Sequence, residues 1–460
     1  MKQKGLVILK RKKQSEQGIT LVVLIITIVI LIILSAVTIS TVFGDGGLIE
    51  QAKKTKDDAT NMITGNNGDM NKLLQEYSNM MATDSGIENP DINDIENPNQ
   101  NEIEDPGTEE PILPEGWDGE KVDAIESEDG VIVPIPKGYV ASSATGENRV
   151  SGGFVIYEGE EKVTDSNVQE VKTSRNQFVW IPVANISDIA NLTSGYDTAG
   201  RLNYQGKLYN FSSTGATEMS SYGQGTESYR EPDILADSNY DNNTSNMNIV
   251  GVTSGNAFRQ QLQLEFNEMI ESVDTYGGFY IGRYETGNLS SSIGAKPVVV
   301  KGNNSISNVN WYYMYRNSKE ITANNNVKST MIWGCLWDRT LIWLTETNTA
   351  SSGINGKSYA EIVNSSGWGN YNVVSGGTGN KQATGNDEAW KANNIYDMAG
   401  NVYDWTIEAI YSDDRALRGG IYDGSGLTHP ASSRLATFDN STPHRTDMRN
   451  GCRSALYIVP

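Results

Sequence analysis

Residues 19–43, ITLVVLIITIVILIILSAVTISTVF, run for 25 positions without a charge, a proline or a glycine. As a helix the run is about 38 Å long at roughly 1.5 Å per residue, enough to cross a hydrocarbon core of about 30 Å with some tilt. A soluble fold would have to hide this apolar rod on every side, so the run predicts a single transmembrane helix. Lys2, Lys4, Lys10, Arg11, Lys12 and Lys13 precede it and only Glu16 opposes them. The positive-inside rule keeps that head cytoplasmic and puts the rest of the chain outside the cell. A secretory signal peptide fits less well, because the small-residue site Ser35-Ala36-Val37 lies inside the apolar run and not after it.

Beyond the span the composition divides the chain. Gly44, Gly46 and Gly47 interrupt the helix, and Met70, Leu73, Leu74, Tyr77 and Met81 then fall on one helical stripe, so 44–82 is expected to be a helical stalk. Residues 83–115 hold eleven acids, five prolines and no Lys or Arg. Such a segment buries too little apolar surface to offset its ordering entropy and is expected to be a disordered acidic linker. Residues 116–460 are rich in Gly, Asn, Ser, Tyr and Trp. The short apolar segments GVIVPIP, GGFVIYEG, NQFVWIPV, GGFYIGRYE and KPVVVK predict strands, and residues 256–272 and 329–346 predict helices, the second capped by Ser329 or Thr330. The fold class expected is α+β.

Charge and rare residues exclude several functions. The chain has 36 basic and 57 acidic side chains, a net charge of −21, which argues against a nucleic-acid partner. Two cysteines, Cys335 and Cys452, and two histidines, His429 and His444, rule out a disulfide scaffold, a multi-cysteine zinc cluster and any site of three His ligands. Both cysteines read as small buried thiols. No G-x-S-x-G, H-E-x-x-H or P-loop motif occurs.

The junction Gln17-Gly18-Ile19-Thr20-Leu21 resembles the leader of type IV prepilins. The resemblance implies 1–18 as the leader, cleavage after Gly18 by a prepilin peptidase, and methylation of Ile19 as the new N-terminus. The chain departs from that pattern in opening its mature part with Ile instead of Phe, and in carrying Val23 where major pilins have the Glu that registers subunits. A plain uncleaved anchor is the competing reading, and assembly with other pilin subunits into a pilus-like structure remains an alternative.

In the C-terminal half, NIYDMAGNVYDWT at 394–406 resembles the N-x-x-D-M-x-G-N-V-x-E/D-W block of the formylglycine-generating enzyme (sulfatase-modifying factor) family. GGFYIGRYETG at 277–287, RALRGG at 415–420 and GCRSAL at 451–456 match further blocks in order. The resemblance implies a C-type-lectin-like ectodomain with two helices and small twisted sheets; the residue types within the blocks agree, Val402 and Trp405 suiting a core and Arg418 and Arg453 being candidates for tying loops to buried carbonyls or carboxylates. The family's oxidases bind copper through a cysteine pair after the RGG block; 421–438 contains none. The related iron enzymes need three histidines. The expectation is a domain without catalysis and without a redox metal, a divergent oxidase being the alternative. The family also implies structural calcium at Asn401 and Asp404, although Asp404 stands where the family has Glu; equally, Asp397, Asn401 and Asp404 could simply bond loop backbones.

Ligand binding is what remains. Between RGG and GCRSAL lie Tyr422, Asp423, Ser425, Thr428, His429, Phe438, Asp439, Asn440, His444, Arg445, Asp447 and Asn450, a mixture suited to adaptable recognition of an extracellular protein or glycan. This layout is similar to that of the target proteins of diversity-generating retroelements, whose variable positions lie between such blocks. The function expected is ligand binding, as in adhesion, by a membrane-anchored, pilin-like surface protein displaying a catalytically inactive C-type-lectin-like domain.

Overall fold

The computed structural model describes residues 113–219, 229–232, 243–305, 308–349, 354–410, 414–435 and 449–460. The leader with Gly18 and Ile19, the apolar run, the stalk and nearly all of the acidic linker lie outside them. Among the described residues no helix is long and apolar enough to cross a membrane.

The fold is mixed α+β. The strands of its two larger sheets are Tyr139–Ala141 (β1), Val155–Glu158 (β2), Gln177–Pro182 (β3), Tyr229–Arg230 (β4), Gly278–Gly282 (β5), Val327–Met331 (β6), Tyr403–Ile410 (β7), Asp414–Arg418 (β8), Arg434–Leu435 (β9), Asn450–Cys452 (β10) and Ser454–Ile458 (β11). A six-stranded sheet runs β6-β11-β5-β3-β2-β1 and is antiparallel throughout. A five-stranded sheet runs β4-β7-β8-β9, and β10 joins it in parallel with the start of β7.

The six-stranded sheet is covered on both faces, which explains why its central strands are apolar without alternation. In β3, Val179 and Ile181 face the larger core, while Phe178 and Trp180 face a second cluster; β5 divides Phe279 and Ile281 from Tyr280 in the same way. The larger core holds Trp311, Trp333, Trp337, Trp343 and Trp405, the last fully buried as expected.

The three longest helices among the described residues pack around the sheets. The first, α1 (Gly255–Tyr276), starts where the Ser254 side chain accepts from Ala257 N and stops at Gly277, whose φ of +76° suits only glycine well. It buries Phe258, Leu262, Phe266, Met269, Ile270 and Val273, which recur at helical spacing along the helix predicted at 256–272 and one residue past it. The second, α2 (Trp311–Ser318), is capped by Asn310 and was not anticipated. The third, α3 (Gly334–Glu346), begins later than expected. Ser329 and Thr330 are not its cap: they sit in β6, opposite Leu456 and Ala455 of β11. An apolar run that is buried throughout shows no period that separates a strand from the helix following it. KPVVVK is a further correction, since it forms no regular strand and contributes only an isolated bridge from Val298 to Gly287.

Candidate ligand-binding loop

The blocks recognised in the sequence come together, but in the interior. Asn401, held at φ +59°, accepts at Oδ1 from Gln382 N (2.9 Å) and Asn370 Nδ2 (3.1 Å), and its Nδ2 donates to Glu285 Oε2 at 2.6 Å. Asp397 Oδ2 accepts from Thr384 Oγ1 at 2.8 Å and Gly385 N at 2.9 Å. Asp404 lies 3.4 Å from Arg453 Nε, and Arg453 also donates to the carbonyls of Gly282 (2.9 Å) and Tyr396 (2.7 Å). Glu285, Asp397, Asn401, Asp404 and Arg453 are all buried. Burial raises all three carboxyl pKa values: Glu285 well above its ordinary value, Asp397 upward, and Asp404 to about 7. Asn401 Oδ1 already accepts two hydrogen bonds and Asp404 faces a guanidinium, while both Asp404 oxygens and Asp397 Oδ1 are buried without a hydrogen-bond partner. Calcium favours a set of free oxygen donors. The hydrogen-bonding alternative describes Asn401 and Asp397 as they stand.

Arg418 carries out the tying role expected of it. It pairs with Asp338 through Nη2 and lies 3.4 Å from Glu408 Oε2, while Arg434 meets Asp338 Oδ2 at 2.5 Å and Glu408 Oε1 at 2.8 Å. Two arginines and two carboxylates thus join α3, β7, β8 and β9 beneath the loop that leaves β8.

That loop, residues 419–433, is stitched to the body at many points. Tyr422 N donates to Asn401 O (3.0 Å), Asn372 N to Gly424 O (2.9 Å) and Ser365 N to Gly426 O (2.8 Å). Ala431 N donates to Ser365 Oγ (2.9 Å), and Trp337 Nε1 donates to Ala431 O (3.1 Å). Close approach demands glycine at two of these positions: a Cβ on Gly426 would stand 2.2 Å from Ser366 N, and one on Gly420 2.3 Å from His429 O. Ile421 and Ala431 are buried anchors.

What the loop offers to solvent is mixed. Asp423 and Thr428 are exposed, Tyr422 and Ser425 half-buried, with Ser425 Oγ 2.9 Å from Thr428 Oγ1. Leu427 is 65% exposed. The segment stitched alongside adds Val373 and Val374, 73% and 96% exposed on a 3₁₀ turn capped by Asn372. Nothing in the local sequence distinguishes these valines from core residues.

The twelve residues expected to bind ligand therefore separate. Tyr422, Asp423, Ser425, Thr428 and His429 share the loop. His429 is half-buried and acts as a pin: the Tyr403 hydroxyl is 2.7 Å from its Nδ1, and Tyr371 Oη donates to its carbonyl at 2.9 Å. Burial lowers its pKa, with Asp423 pulling the other way. Asn450 is a correction: it is 1% exposed in β10, paired with Tyr403, and presents nothing to solvent. Phe438, Asp439, Asn440, His444, Arg445 and Asp447 lie outside the described residues.

Cys335 and Cys452 are free and buried, as read from the sequence. Burial pushes the Cys452 thiol up to about 12 and that of Cys335 well above its ordinary value, so neither is a ready thiolate.

The fold and this loop define a mixed α+β domain with a rigidly held, solvent-facing loop pair at one end of its five-stranded sheet. No protein-family model matches the chain. No curated protein matches it either. Among solved structures it is similar to Treponema denticola variable protein 1, at 14% identity and a TM-score of 0.22, over 63% of this chain and 97% of that one. An overlap of that size decides neither fold nor function.

Proposed function

We propose that this chain is a membrane-anchored, pilin-like surface protein whose C-terminal domain, of the C-type-lectin-like formylglycine-generating-enzyme type, has no catalytic role and binds a protein or glycan ligand. The observation that carries this reading is the loop 419–433. It is fastened to the core by backbone bonds and by His429, yet shows Tyr422, Asp423, Leu427 and Thr428 to solvent beside Val373 and Val374. A rigid frame with exposed side chains at its tips lowers the ordering cost of binding. Diversification by a retroelement is part of the same proposal. Its mark would be substitutions concentrated at adenine positions between codons 421 and 452 in the genes of related isolates.

The test is a binding screen of the full-length chain against arrays of glycans and surface proteins, beside a variant carrying Tyr422→Ala, Asp423→Ala and Thr428→Ala. His429 is left intact because it holds the loop. The expected outcome is one or more ligands whose binding falls at least tenfold in a variant that melts at the same temperature. Undiminished binding would remove the loop from the site.

A further inference from the structure

A second, smaller site lies away from the loop. A cavity of about 160 Å³ is walled by Glu147, Lys172, Arg283, Glu388, Lys391 and Tyr396, with asparagines between them. Its space corresponds to roughly five waters at about 30 Å³ each.

The charges around it do not cancel. Arg283 Nη1 and Lys172 Nζ both approach one oxygen, Glu147 Oε1, at 2.8 and 3.1 Å. Lys391 and Lys301 likewise share the carboxylate of Glu388, at 2.9 and 3.4 Å. Each carboxylate thus faces two cations, and the cavity wall itself carries Lys172, Arg283 and Lys391 against Glu147 and Glu388, a positive excess in a chain whose net charge is −21. Glu147 is otherwise occupied: its Oε2 accepts from Ser142 Oγ (2.8 Å) and Tyr157 Oη (2.9 Å).

Arg283 supplies the second observation. It is 1% exposed, and its Nε, buried, has no hydrogen-bond partner. A buried guanidinium donor left without an acceptor is costly, and an oxyanion is the partner its geometry suits. Lys172 is held below its ordinary pKa by burial, with Arg283 and Lys301 adding to that against the pull of Glu147; an anion would reverse the repulsion. The side chains of Lys391 and Glu388, 27% and 61% exposed, mark the way in.

We propose that this cavity binds a small oxyanion headgroup, a carboxylate above all, either as a free small acid or as the acidic end of a larger sugar. Lys172, Lys391 and Arg283 are its ligands, and Tyr396 is the wall beside it.

The test is equilibrium titration of the full-length chain with sodium acetate, sodium glucuronate and uncharged glucose at constant ionic strength. The expected result is saturable binding of the anions, none of glucose, and a loss of about tenfold or more in Lys391→Gln. Lys391 is partly exposed, so that variant keeps the test valid if Lys172→Gln does not fold; an unchanged melting temperature confirms its integrity. Glucuronate binding tighter than acetate assigns the site to a sugar acid, and the reverse to a free acid. No saturable anion binding, equal binding of glucose and glucuronate, or anion binding undiminished in folded Lys391→Gln would overturn the proposal.

Discussion

The hydroxyl of Tyr403 meets Nδ1 of His429 at 2.7 Å, with the two rings edge to face at 5.8 Å and 76°. Tyr403 heads β7, the strand at the centre of the five-stranded sheet. The contact therefore extends the rigidity of the sheet into the loop that carries the candidate binding residues.

This contact predicts a pH response confined to the loop. Burial lowers the folded pKa of His429 below its unfolded value of about 6.5. Its contribution is thus complete above about pH 6.5 and is lost as pH falls through the lower folded value. Hydrogen-exchange protection factors for residues 421–433 should drop below pH 6 while those of α1 stay constant. Tyr403→Phe should lower the loop's protection at neutral pH by about 1 kcal/mol and blunt the pH step. A loop protected equally at pH 5 and pH 8 would show that His429 is not the pin.

Arg418 should be among the costliest residues to replace. Arg418→Met leaves Asp338 and Glu408, both buried, facing Arg434 alone, and breaking a buried ionic network costs about 3–5 kcal/mol. Urea denaturation of the variant should show a loss of that size. A loss under about 1 kcal/mol would mean that the network contributes little.

Glu285, Asp397 and Asp404, three of the domain's buried carboxyls, predict a decline of stability toward neutral and alkaline pH. Their folded values are raised by burial, that of Asp404 to about 7. Raised values stabilise fully below the unfolded range of about 4 and lose that stabilisation as pH rises through the folded values. Asp129 and Glu388 act in the other direction: each is held at about 2 by hydrogen bonds and, for Glu388, by Lys391 and Lys301, outweighing burial. Their stabilisation is present above about pH 4 and is lost toward pH 2. The melting temperature should therefore be highest in mildly acidic solution, and Asp404→Asn should flatten the decline between pH 5 and 8. A profile that rises steadily to pH 8 would contradict this.

Val373 and Val374 can be tested without disturbing the core. Because both are largely exposed, Val373→Ser with Val374→Ser should change stability by less than about 0.5 kcal/mol. Binding of a ligand found in the screen should nevertheless weaken. Full retention of binding would restrict the face to residues 421–429.

The parts of the fold legible in the sequence were those whose signal is local. Phe258 through Val273 recur at helical spacing, so α1 was legible almost to its ends. Val402 and Trp405 were placed in the core, and Arg418 and Arg453 were given tying roles, from residue type within short blocks. The start of α3 was not legible. Its first backbone N–H groups are satisfied by no nearby side chain: Glu231 accepts from Gly334 N at 2.5 Å and Cys335 N at 2.7 Å, from about a hundred positions earlier in the chain. The exposure of Val373 and Val374 was equally hidden, because β-branched residues read as interior until the turn that turns them outward is known.

The sequence by itself determined the class of fold, the helical stripe of α1, the core and tying residues of the GNVYDW, RALRGG and GCRSAL blocks, and the polar composition of the loop after RGG. Each of these depends on neighbours within a few residues. Tertiary structure alone decided that Asn450 is interior, that His429 anchors the loop, and that Glu147, Lys172, Arg283 and Lys391 surround one cavity. Those outcomes are set by Coulomb and hydrogen-bond interactions between segments distant in the chain, and distance along the chain does not encode distance in space.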